Sequence, residues 1–263
     1  MRVVVTGGSG ALGSKVVARI RELGHLAIPV SRRWGVDLTT GQGLNAALTG
    51  ADAVVHCASN PMHARRTDVG GTAQLLGALA GMPTPAHLVY VSIVGCDQNP
   101  YAYYRAKARA EELILGSQLP ATVVRATQFH TLVASIARMS TLGRVRLDLD
   151  MAAQPVDAGW FARELVDHAL GTPPDGGVRA RDIAGPERLT VGEAVAALSR
   201  EDAAPARTVR IPPVGRTLRA FAEGTNLPGP DARIGGIGFA EWAAEHRRPS
   251  RDGDLSPRRQ QHR

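Results

Sequence analysis

Val3-Val4-Val5-Thr6-Gly7-Gly8-Ser9-Gly10-Ala11-Leu12-Gly13 decides the reading of this 263-residue chain. A β-branched run meets glycines at Gly7, Gly10 and Gly13, and Leu12, Val16, Val17, Ile20 and Leu23 then recur at helical intervals. The pattern is a strand, a tight turn and a helix. Small residues at those three positions let the backbone turn sharply and approach a pyrophosphate, whose charge meets the free N–H groups of the helix N-terminus. Ser9, Ala11 and Leu12 complete the turn and are expected to line the same nucleotide.

Working outward, the helix stops at Gly24, and 25–30 reads as a second strand ending at Ser31-Arg32-Arg33. The alternation continues with a short third strand at Val36-Asp37-Leu38, a helix over 43–48 and a buried strand over 53–58. Next come a helix over 69–80, a strand over 87–93, a helix over 103–115 and a strand over 121–126. Apolar strands alternating with amphipathic helices predict a Rossmann-type, doubly wound α/β fold whose parallel sheet is covered on both faces.

From residue 131 the pattern loosens into helices near 132–139, 159–170, 191–198 and 214–222, with short strands near 144–149 and 181–184. The expected organisation is a dinucleotide-binding domain over 1–130, a small C-terminal substrate-binding lid over 131–246 interleaved with it, and a basic, disordered tail over 247–263.

The apolar and charged shares, 44% and 21%, are those of a folded soluble chain. The sequence has no basic leader with an apolar core and no 18-residue apolar stretch, so a cytoplasmic protein without a membrane partner is expected. The net charge of +7 raises the question of nucleic acid, but much of the excess sits in the tail, with six arginines against Asp252 and Asp254. No helix-turn-helix, zinc-finger or aromatic-interleaved basic pattern accompanies it, and no nucleic-acid partner is expected. Cys57 and Cys96 lack metal-ligand spacing and are read as reduced packing residues, with no metal. Trp34, Trp160 and Trp242 are read the same way. Oligomeric state is left open.

Cofactor choice is read at the end of the second strand. An NAD-binding chain presents an acidic residue to the ribose there, whereas this chain presents Ser31, Arg32 and Arg33, whose guanidiniums attract a 2′-phosphate. NADP(H) is therefore favoured over NAD(H). Asp37 and Leu38 are placed at the adenine, with a ribose-accepting role for Asp37 as the competing reading.

Tyr103-Tyr104-Arg105-Ala106-Lys107 opens a helix, and residues four apart share a face, so Tyr103 and Lys107 can act on one spot. A neighbouring ammonium favours the phenolate, and the tyrosine is expected to gain a lowered pKa and become a usable general acid. Ser92, at the end of the fifth predicted strand, is expected to hydrogen-bond the same substrate oxygen. Of 31 Lys plus Arg, only Lys15 and Lys107 are lysine, so a compact ammonium at 107 stands out from the chain's habit.

Thr6-Gly-Gly-Ser-Gly-Ala-Leu-Gly13, Ala53-Val-Val-His-Cys-Ala-Ser59, Tyr90-Val-Ser-Ile-Val-Gly95, Tyr103-x-x-x-Lys107 and Val124-Arg-Ala-Thr-Gln-Phe129 together resemble the atypical extended short-chain dehydrogenases/reductases, close to the NmrA-like and NAD(P)H-binding subgroups. The resemblance covers about residues 1–200 and is specific through residue 160. It implies Ser92, Tyr103 and Lys107 as the catalytic set, with Ala58, Ser59, Ala126, Thr127 and Phe129 on the nicotinamide side. Relatives commonly carry asparagine, holding a relay water, where this chain has Asp68.

His130, after the sixth predicted strand, is read as a substrate contact or a hydrogen-bonded structural residue. Gln154 heads a segment, 154–158, expected to dock the lid on the core and to approach substrate. The expected activity is hydride transfer from NADP(H) to a small carbonyl or quinone-like substrate, with Tyr103 as general acid. A non-catalytic NAD(P)-sensing regulator and a nucleotide-retaining epimerase or isomerase stay open beside it.

Overall fold

The computed structural model describes residues 1–142, 145–199 and 207–246. The tail from 247, expected to be disordered, lies outside the described residues.

β1 (Arg2–Thr6), α1 (Gly13–Glu22) and β2 (Leu26–Val30) form the opening unit. A 3₁₀ turn (Arg32–Trp34), α2 (Leu44–Leu48) and β3 (Ala53–His56) follow, then a single π-helical segment (Arg65–Gly70) that runs into α3 (Gly71–Ala80). β4 (His87–Ile93), α4 (Ala102–Leu115) and β5 (Ala121–Ala126) complete the alternation. Beyond them lie α5 (His130–Met139), β6 (Thr141–Leu142), β7 (Val145–Leu149), β8 (Ala152–Ala153), α6 (Ala158–Leu170), β9 (Gly177–Arg179), β10 (Ile183–Ala184) and β11 (Leu189–Thr190). α7 (Val191–Leu198), β12 (Arg207–Ile211), α8 (Gly215–Ala222), β13 (Arg233–Ile234) and α9 (Phe239–Glu245) end the described chain.

The main sheet has eight strands in the order β13-β10-β5-β4-β3-β1-β2, with β9 also paired to β5, and its pairings are parallel. Strand alternation divides its core in two. Val3, Val5, Val55 and Val124 face α1 and α6, where Val16, Ile20, Phe161 and Leu165 are buried. Val4, Val54, Leu88 and Tyr90 face α2, α3 and α4, where Leu48, Leu75, Leu79 and Ile114 meet them. α4 is also tied to β5 by a buried fork, Arg125 Nε and Nη2 donating to the two Glu111 oxygens at 2.8 and 2.7 Å.

The third strand expected at Val36-Asp37-Leu38 does not form, and the sheet ends at β2. Asp37 makes only an isolated bridge to Gln42, because its carboxylate accepts the backbone N–H and hydroxyl of Thr39 and turns the chain back. Trp34 is 49% exposed rather than packed, since among the described residues no strand pairs beyond β2 to cover it. Trp160 and Trp242 do pack, against the α1–α6 side and between α5, α7 and α9 respectively. Val156 N–H donates to Gln128 O at 2.8 Å, docking the 154–158 segment on the end of β5.

β1 lies between β2 and β3, so the chain reverses its direction of travel across the sheet at β1, and ligands of open α/β folds bind at the carboxyl ends of strands flanking such a reversal. Among the described residues no helix is long and apolar enough to cross a membrane.

His56, at the end of β3, is 1% exposed and held between Thr6 Oγ1 (2.6 Å) and Thr72 Oγ1 (3.2 Å). Burial pushes its pKa down to about 3 from 6.5, so the folded imidazole stays neutral while the unfolded one charges below pH 6.5. Its contribution is complete above pH 6.5 and falls as the pH drops, by roughly 2 kcal/mol at pH 5. Urea unfolding at the two pH values should show this loss in the parent chain and a smaller one in His56→Gln. Equal losses in both would refute the assignment.

Candidate active site

Two adjoining cavities open at the carboxyl ends of β1, β3, β4 and β5. The first, about 420 Å³, is lined by Gly7, Ser9 and Gly10, by Ser31, Arg32, Asp37 and Leu38, and by Ala58 and Ser59. The second, about 530 Å³, is lined by Leu12, Ile93, Tyr103, Lys107, Ala126, Thr127 and Phe129 on the sheet side. Cys57 and Ser59 border both, so the two adjoin along one trough at the end of β3.

The glycine turn closes on the neighbouring strand. Gly7 has φ +66°, and a Cβ there would lie 2.8 Å from Ala58 N and 2.9 Å from Ala58 Cα, so both conformation and contact require glycine. A Cβ on Gly13 would collide with the Gly7 carbonyl, which seats α1 directly behind the turn. No side chain caps α1; the N–H groups of Ser14, Lys15 and Val16 donate to Gly10 O and Leu12 O, and those of Ala11, Leu12 and Gly13, which have no backbone partner among the described residues, are left for an anion. Ala11 is exposed at the turn. Ser31 Oγ is buried without a protein partner among the described residues. These features fit a dinucleotide whose pyrophosphate crosses Gly7–Gly13.

Arg32 lines the first cavity and Arg33 does not; the second cation there is Arg66, from the π-helical segment, joined by His63. Sequence spacing could not reveal Arg66, which is 34 positions from Arg32 and meets it only through the fold. The Asp37 carboxyl is held below its ordinary range by the Thr39 N–H and hydroxyl, with Arg32 and Arg66 adding to the effect.

At the junction, Tyr103 OH lies 2.8 Å from Ser59 Oγ, which donates to Asp68 Oδ1 at 2.5 Å. Asp68, fully buried, also accepts Asn60 N–H at 3.2 Å and faces Lys107 Nζ at 3.4 Å. Lys107 Nζ donates to Val91 O at 2.7 Å and stands 4.4 Å from the centre of the Tyr90 ring. Tyr103 and Lys107 therefore share a face of α4, as their spacing predicts. The lowered phenol pKa does not follow: burial raises Tyr103 above its ordinary 10, and Lys107 only partly offsets this.

Ser92 lines the second cavity from the end of β4. It shares a strand face with Leu88 and Tyr90, on the α4 side, is 1% exposed, and its Oγ neighbours Cys96 Sγ at 3.7 Å. The hydroxyl that meets Tyr103 is that of Ser59. Cys96 is buried and Cys57 half-buried; burial pushes both thiols up to about 12, so neither is a nucleophile at neutral pH.

His130 and Gln154 do not line either cavity. His130 is turned into the apolar cluster, its ring 5.7 Å from Phe239 and 5.5 Å from Trp242, because the first turn of α5 points it at α9. Gln154 Nε2 donates to Gly185 O at 2.8 Å and its carbonyl accepts Thr127 Oγ1 at 2.6 Å, so it is a docking residue. The far wall of the second cavity comes from residues the sequence did not single out: Tyr104, Leu132, Ile136, Leu189, Val191 and Phe221. Their helical periodicity looked like ordinary core.

Residues 3–93 match the family model described as the NAD dependent epimerase/dehydratase family. An uncharacterized protein of Mycobacterium tuberculosis is 29% identical over 247 residues and 85% of this chain. The chain spans only about a quarter (26%) of that relative's length. The (4-alkanoyl-5-oxo-2,5-dihydrofuran-3-yl)methyl phosphate reductase of Streptomyces griseus is 29% identical, over 93% of this chain and 97% of its own. Among solved structures, the Bordetella bronchiseptica enzyme WbmH in complex with NAD+ superposes with a TM-score of 0.70 at 16% identity, covering 92% and 96% of the two chains. RMD from Pseudomonas aeruginosa complexed with NADPH does so with a TM-score of 0.64, again at 16% identity, covering 93% and 97%.

The class these comparisons define is that of the fold, a Rossmann-type α/β architecture shared with these structures, within which residues 3–93 resemble the NAD dependent epimerase/dehydratase family. Within that fold, the trough described above is the candidate dinucleotide site.

Gly7→Ala should weaken dinucleotide binding by about tenfold or more, read by fluorescence titration with NADPH. Unchanged affinity would mean that the turn does not hold the pyrophosphate.

Proposed function

We propose that this protein is an NADP(H)-dependent reductase that transfers hydride to a small, largely apolar carbonyl or quinone-like substrate. The observation that carries the reading is the meeting of the two cavities at Ser59, with the Tyr103 hydroxyl 2.8 Å from its Oγ. The dinucleotide, held by Gly7, Gly10, Ser31, Arg32 and Arg66, supplies the hydride when bound. Tyr103 gives the proton to the substrate oxygen, and Lys107 positions it from the next turn of α4. Ser59 orients the phenol through a fixed hydrogen bond. Residues 131–246 supply the substrate-binding region through α5, β11, α7 and α8.

The wall of the second cavity argues for the substrate's character. Leu132, Val133, Ile136, Phe221 and the tyrosines Tyr101 and Tyr104 dominate it, and among the described residues the only charged side chain lining it is Lys107, already committed to Asp68 and Val91 O. Such a wall suits an apolar body with one polar reacting end. The match to the epimerase/dehydratase family favours a second reading, transient oxidation on a retained nucleotide. That reading requires a nucleotide that stays with the protein through purification, whereas a reductase exchanges it every turnover.

With NADPH and a panel of ketones, enones and quinones, turnover should appear as loss of NADPH absorbance. Tyr103→Phe should lower kcat by about a hundredfold or more while leaving NADPH affinity in place. Turnover that survives the substitution would remove the general acid from the account. Arg32→Ala combined with Arg66→Ala should weaken NADPH by about tenfold or more and NADH little, measured by calorimetry; equal losses for both would dismiss the 2′-phosphate assignment.

A further inference from the structure

Asp68 is fully buried, in the π-helical segment ahead of α3, and its carboxylate has three partners: Ser59 Oγ at 2.5 Å, Asn60 N–H at 3.2 Å and Lys107 Nζ at 3.4 Å. A carboxylate only accepts hydrogen bonds, so the single hydrogen of the Ser59 hydroxyl is committed to Asp68. Ser59 Oγ can then offer Tyr103 nothing but lone pairs. Tyr103 must be the donor across the 2.8 Å contact, and a phenolate in its place would face an oxygen with no hydrogen to give. The same carboxylate neutralises the ammonium that would otherwise favour a phenolate.

We propose that Asp68 is a positioning residue that holds Tyr103 in its protonated form through Ser59, so that the site acts as a proton donor rather than a proton acceptor. This rests on the reductase reading, in which the proton donated in reduction starts on Tyr103. The groups facing Tyr103 are Lys107, Tyr104 and Tyr101 from α4 and its approach, Ser59 from the loop after β3, Asp68 from the π-helical segment, and Tyr90 from β4. Burial foremost, with Asp68 and Tyr90 adding to it, places the phenol above its ordinary pKa against the opposing pull of Lys107 and of the Ser59 hydrogen bond.

The test is the ionisation of Tyr103 in the intact protein, read by NMR of isotope-labelled tyrosine with Tyr103→Phe as the blank for assignment. The parent chain should show a midpoint above the ordinary value of 10. Asp68→Asn, which keeps an acceptor for Ser59 and removes the charge, should lower the midpoint by at least about one pH unit, a tenfold change in the ionisation constant. Asp68→Glu should restore it. The alkaline limb of kcat/KM for reduction should move down by the same amount in Asp68→Asn, with KM little altered.

A parent midpoint near neutrality overturns the proposal even where the asparagine variant fails to fold, and so does an unmoved midpoint in a folded Asp68→Asn. The titration needs no substrate, so the two readings separate. A shifted midpoint with no substrate reduced defeats the reductase reading and keeps the role of Asp68; turnover with unshifted titration does the reverse.

Discussion

Lys107 and Asp68 are both nearly without solvent, 3% and 0% exposed, and each charge is tolerable there only because the other is present. Neither alone would suffice: the ammonium also donates to Val91 O and lies against the Tyr90 ring, and the carboxylate also takes Ser59 Oγ and Asn60 N–H. These contacts reach α4, β4, the π-helical segment and the loop after β3, so the pair fixes four pieces of backbone around one point. The Tyr103 hydroxyl sits at that point.

The sheet supplies the rest of the arrangement. Because β1 is flanked by β2 and β3, the carboxyl ends of the central strands leave a crevice, and the Gly7–Ala58 approach sets its floor. The charge of the trough changes along its length. Arg32 and Arg66 stand at one end and an aromatic and aliphatic wall at the other, with Ser59 between. In the reading proposed above, the anionic end of a dinucleotide meets the arginines and a substrate entering from the far side meets the nicotinamide beside Tyr103.

The strand–turn–helix at 3–23 and the alternation to 126 could be read from sequence because periodicity there is set by burial against a sheet covered on both faces. Tyr103 and Lys107 were legible for the same reason, four residues apart on a helix. The failures have physical causes as well. Val36-Asp37-Leu38 has the composition of a strand, but the side chain of Asp37 turns the backbone. Ser92 and Ser59 both line the second cavity, and it is the loop after β3, whose course the sequence does not mark, that brings Ser59 onto the phenol. Arg66 and the wall around Phe221 come from elements distant in sequence, and although Asp68 stands out as a departure from its relatives, the π-helical segment that aims it inward leaves no compositional mark. His130 followed a strand as active-site residues often do, and is instead packed among Phe239 and Trp242.

The account stands on one spatial claim, that the reacting ring of the dinucleotide lies in the second cavity beside Tyr103. A crystal structure with NADP+ bound measures it directly. The account predicts the nicotinamide between Cys57 and Phe129 with its reactive carbon open toward Tyr103, and the 2′-phosphate against Arg32 and Arg66. A nucleotide whose nicotinamide lies outside that cavity, or a Tyr103 ring turned from it, would contradict the account.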